Sequence, residues 1–79
     1  NGAGPPAGGA LRAARKEVAR LERALEKLED RQAGLHEAMA ASATDHGRLR
    51  ELDAELGALA AERDALEASW LELSEALEG

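Results

Sequence analysis

Two apolar series, each alternating steps of three and four residues, constrain this chain more than any other feature. The first runs Leu11, Ala14, Val18, Leu21, Leu25, Leu28, Gln32, Leu35, Met39. The second runs Leu49, Leu52, Leu56, Leu59, Arg63, Leu66, Trp70, Leu73, Leu77. That period is the a/d seam of a coiled coil, so each series makes one helix with a narrow apolar stripe that must be covered. The residues between them, Ser42-Ala43-Thr44-Asp45-His46-Gly47, form a polar link of the length that joins antiparallel neighbours. The expected fold class is all-α, a two-helix antiparallel coiled-coil hairpin. Helix one is expected over about 11–41, the turn over 42–44 and helix two over 45–78. The competing structure is a longer bundle of two chains. Closing a short loop within one chain costs less entropy than recruiting a second, which favours a monomeric hairpin.

Residues 1–10 hold Gly2, Gly4, Gly8, Gly9 and the pair Pro5-Pro6 but no large apolar side chain. They read as a disordered N-terminal linker. The chain opens on Asn1 rather than Met, which reads as a piece of a longer protein. Thr44 is the expected N-cap of helix two, with Asp45 beside it at the positive end of the helix dipole. Gly34 is the one weak helix former singled out in helix one.

Two polar residues interrupt the seams, Gln32 and Arg63. Arg63 can pack its methylenes inward and lift its guanidinium out, with Glu22 or Glu29 as partner. Two registers satisfy the apolar pattern. In one, Gln32 faces Leu52 and the turn is tight. In the other it faces Leu59 and the tip is one heptad longer. Trp70 lies on the seam and reads as a packing wedge.

A hairpin of this kind has no cleft, and the residue content excludes most chemistry. No Cys, Phe or Tyr is present, which removes disulfides, thiolates and an aromatic stacking platform. His36 and His46 lack partners at ligand spacing, so no metal site is expected. No Gly-rich phosphate loop with Lys-Ser/Thr occurs, no serine has a base and an orienter, and no cofactor is expected in the fragment. No apolar run reaches the roughly 18–20 residues of a membrane span. The sequence predicts an interaction arm, not an enzyme.

Charge then decides which face interacts. The net charge is −6, but residues 11–41 carry seven Lys/Arg against six Asp/Glu, and residues 42–79 carry three against ten. With Leu11 at position a, Arg12, Lys16, Arg20, Arg23 and Lys27 fall at b, f, c, f and c. They form an outward ridge roughly 22 Å long, flanked by Arg15 and Arg31. A row of cations can track a phosphate backbone by displacing condensed counterions, and with no base-reading side chains it would do so without sequence preference. The alternative is a solvated helix face. Helix two shows instead an outer stripe of Ala54, Ala58, Ala61, Ala65 and Ala68 beside acidic residues. That face repels nucleic acid and suits a protein surface.

Certain words in the helices look familiar. Lys16-Glu17-Val18-Ala19-Arg20-Leu21-Glu22-Arg23, Leu35-His36, Ala43-Thr44-Asp45, Leu49-Arg50-Glu51-Leu52 and Glu67-Ala68-Ser69-Trp70-Leu71-Glu72 resemble the C-terminal coiled-coil domain of bacterial ABC-F ATPases. The resemblance covers about residues 11–79 and is most specific at Thr44-Asp45 and at Glu67 to Glu72. It implies a cytoplasmic protein without transmembrane segments that acts on ribosomes or DNA. The arm would follow two ATP-binding modules, with residues 1–10 as its linker. ATP and Mg would belong to those modules, which would also be its partners. Ribosomal RNA or DNA backbone would be bound by Arg12, Arg15, Lys16, Arg20, Arg23 and Lys27. A second reading is a structural or protein-interaction arm without direct nucleic-acid contact. The coiled-coil arm of a tRNA synthetase is built alike, but usually carries tip aromatics and Pro residues that are lacking here.

Overall fold

A computed structural model describes residues 8–78. Two helices of equal length, α1 (Gly9–Ala41) and α2 (His46–Glu78), fold back on each other. Their Cα trace spans 59 × 16 × 14 Å, a rod two helices wide. The predicted linker lies outside the described residues except for Gly8, Gly9 and Ala10. Those three are not linker. Gly8 adopts φ +60°, a left-handed value that glycine tolerates at no steric cost, and its carbonyl accepts from the Arg12 N–H at 3.2 Å. The helix therefore starts at Gly9, two residues before the first seam leucine.

The reversal needs no glycine. Ser42 ends α1, its N–H donating to the Ala38 and Met39 carbonyls. The Asp45 N–H then donates to the Ser42 carbonyl at 2.9 Å, closing one tight turn. No non-glycine residue among those described takes a positive φ. The cap of α2 is Asp45, not Thr44. The Asp45 carboxylate accepts from the Arg48 N–H at 3.0 Å, and its carbonyl accepts from the Leu49 N–H at 2.9 Å. The turn is thus one residue longer than expected, and His46 is the first residue of α2 rather than part of the loop. Asp45→Ala should cost about 0.5–2 kcal/mol, while Thr44→Ala should stay near zero. Thermal melts of the two variants check the assignment.

Every seam position is buried or half-buried. Among the described residues Leu21, Leu28, Leu52 and Leu59 form the buried core, all at d positions, and no polar residue is buried. Two hydrogen bonds across the helices fix the register. The Trp70 indole N–H donates to Glu22 at 3.0 Å, and the Arg63 guanidinium donates to the Gln32 side-chain oxygen at 3.4 Å. If Gln32 faced Leu52, Glu22 would sit about eight residues, roughly 12 Å, from the level of Trp70. The longer register brings Glu22 level with Trp70 and leaves Arg63 one turn from Gln32. In it Met39 faces Leu52, Gln32 faces Leu59 and Leu21 faces Trp70, with Ser42 and Leu49 as the last layer at the tip. Arg63 takes Gln32 as its cross-helix partner, not Glu22 or Glu29, and adds a long contact to Glu67 on its own helix at 3.5 Å.

Gly34 and Gly57 are both exposed and helical, and an added Cβ would meet nothing within 4 Å at either site. Replacing either by Ala should raise stability by about 1 kcal/mol, readable as a higher denaturation midpoint.

Candidate nucleic-acid interface

Regular helix carries the ridge from Arg12 to Lys27, so its charges are spaced by geometry rather than by a loop. Arg12, Arg15, Lys16, Arg20, Arg23 and Lys27 are all exposed. They split by partner. Arg20 is held by Glu17 through two bonds, Nε to one carboxylate oxygen at 2.8 Å and a terminal nitrogen to the other at 2.6 Å. This hydrogen bond, reinforced by charge, lowers the Glu17 carboxyl below its ordinary range and raises Arg20. Arg12, Arg15, Lys16, Arg23 and Lys27 make no ion pair with a described carboxylate. Those five keep their charge available to an outside anion.

Across the hairpin the balance inverts. Asp53, Glu55, Glu62, Glu67 and Glu72 are exposed on α2, as are all five alanines of its outer stripe. The other described ion pairs, Arg48 with Glu51 at 3.4 Å and Arg63 with Glu67 at 3.5 Å, lie on this helix and engage two of its three arginines. Net charge thus differs between the two helices, close to balanced on α1 and strongly negative on α2.

One surface feature escaped the heptad pattern. Leu71 sits at a b position, off the seam, and is 51% exposed. With Leu25 and Trp70 it floors a groove walled by Glu22, Glu26, Glu29 and Glu67, with a volume of about 370 Å³. The signal in the sequence was Leu71 itself, a large apolar residue out of phase with its repeat.

Among the described residues no group of three or more His, Asp or Glu is placed to hold a metal, and no helix is long and apolar enough to cross a membrane. No characterised protein and no solved structure matches the chain. A family model does: the ABC transporter C-terminal domain, over residues 11–75, which spans α1 from its first seam leucine, the turn, and α2 to within a turn of its end. That family is a non-catalytic accessory domain of ABC proteins, separate from the ATP-hydrolysing cassette. With the match running from the first seam leucine through the turn and along nearly all of α2, the chain belongs to the ABC transporter C-terminal domain family.

Proposed function

We propose that this hairpin is the C-terminal arm of an ABC-F type ATPase, a cytoplasmic protein without transmembrane segments, and that α1 lies along the phosphate backbone of ribosomal RNA or DNA. The observation that carries the reading is the exposed ridge, whose Arg12, Lys16, Arg23 and Lys27 have no described carboxylate paired with them. One continuous helix presents these cations at regular spacing along a single face. Nothing in the ridge reads bases, so binding is set by charge and shape. ATP and Mg would be held by the parent's ATP-binding modules, to which the arm would be tethered through the residues preceding Gly8.

Titration of the 79-residue chain against a labelled ribosomal RNA fragment and a duplex DNA, at 50 and 200 mM salt, tests this. Four phosphate contacts give a slope of log affinity against log salt of about −3.6 on duplex DNA, or about a hundredfold loss over that range. Binding that is absent at 50 mM salt, or unaffected by salt, contradicts the proposal and leaves the arm as a dock for protein.

A further inference from the structure

We propose that the groove over Leu25, Trp70 and Leu71 is a docking site for a short cationic amphipathic helix of another polypeptide segment, which would complete a local three-helix bundle. The proposal goes beyond the nucleic-acid reading and uses other residues. Its floor is the exposed Leu71 beside the half-buried Trp70. Its rim is partly preset, because the Trp70 indole is fixed by its bond to Glu22. Its walls are unbalanced. Glu26 and Glu29 make no ion pair with a described cation, and Glu67 shares only the long contact with Arg63. An apolar strip walled by four carboxylates, of which Glu26 and Glu29 pair with no described cation, is complementary to a helix with large apolar anchors flanked by Lys or Arg. On α1 the groove runs from Glu22 to Glu29, about 10 Å. That is two turns of a partner helix, enough for anchors at i, i+3 or i+4, and i+7.

Two other occupants fit worse. A second copy seated groove to groove would bring the glutamates of both copies together. The chain's own basic ridge matches the charge but offers alanines, Ala13 and Ala19, between its cations, and so supplies no apolar anchor. Nucleic acid is repelled by the same carboxylates.

The protein carries its own probe, since Trp70 is the sole tryptophan. The test is a fluorescence titration with a designed 18-residue peptide bearing Leu at i, i+4 and i+7 and Lys or Arg beside them. A scrambled peptide of the same composition serves as reference. The expected result is a saturable blue shift of Trp70 emission with the patterned peptide and at least tenfold weaker binding of the scrambled one. Leu71→Asn should weaken the patterned peptide at least tenfold. Glu26→Gln with Glu29→Gln should weaken it severalfold and flatten its salt dependence. All three sites are exposed, so circular dichroism should show the fold unchanged and polynucleotide binding should persist. Equal binding of both peptides, no saturable shift, or full affinity in Leu71→Asn overturns the proposal. So does self-association of the chain, seen by sedimentation, that Leu71→Asn abolishes.

Discussion

Reversing Arg12, Lys16, Arg20, Arg23 and Lys27 together to Glu should abolish polynucleotide binding at 50 mM salt. The parent chain's affinity on this account is almost wholly counterion release, which needs cations on the bound face. Glu keeps high helix propensity, so the rod should survive by circular dichroism. Gln at the same five sites removes attraction without adding repulsion and separates the two effects. It should bring the salt slope close to zero, whereas Arg20→Gln alone should change the slope least, because Glu17 already occupies that guanidinium. Reversal on the acidic face, Glu55 and Glu62 to Lys, should add a second binding edge. Equal affinity of the Glu variant and the parent chain would remove α1 as the working surface.

The second large effect is on stability. Leu52 is completely buried and faces the half-buried Met39 near the tip, so Leu52→Ala deletes apolar contacts around a side chain that solvent does not reach. Truncations of this kind cost about 2–5 kcal/mol. A domain of this size holds roughly 4–11 kcal/mol in total, so the loss is a large share of it. The melting temperature should fall by more than about 10 °C. Leu71→Ala, at a half-exposed site off the seam, should stay within about 0.5 kcal/mol. Denaturant unfolding of both variants checks the contrast; an unchanged midpoint for Leu52→Ala would mean that the seam is not the core.

Periodicity made the elements legible, because an a/d stripe can be buried by only one face of a helix. All eighteen seam residues are indeed shielded at least in part. The ridge was equally legible, since b, c and f positions cannot reach the seam. Other features were not. Thr44 and Asp45 are both good caps and adjacent, and the choice depends on which backbone enters the helix first. The register was degenerate because leucines repeat every heptad, so a slip of seven still pairs leucine with leucine. Only the bonds from Trp70 to Glu22 and from Arg63 to Gln32 break that degeneracy. Arg63 has candidate partners on both sides of the seam, and its reach of about one turn makes several of them geometrically equal before the helices are set. The groove arises between the helices, from e and b positions that a single-helix pattern treats as plain surface.

The groove exists only if one chain closes on itself in the longer register, with α1 packed against α2. The absence of native cysteine allows clean spin labels at Arg23→Cys and Ala68→Cys. Both sites are exposed f positions on one level of that register. Their separation should be measured by pulsed dipolar spectroscopy, with labelled chain diluted in excess unlabelled chain so that only distances within a chain are seen. A closed hairpin predicts a single distance of roughly 20–30 Å, two helices wide with the labels outward. A distance of about 68 Å, the span of 45 residues in one continuous helix, would contradict the hairpin and with it the groove.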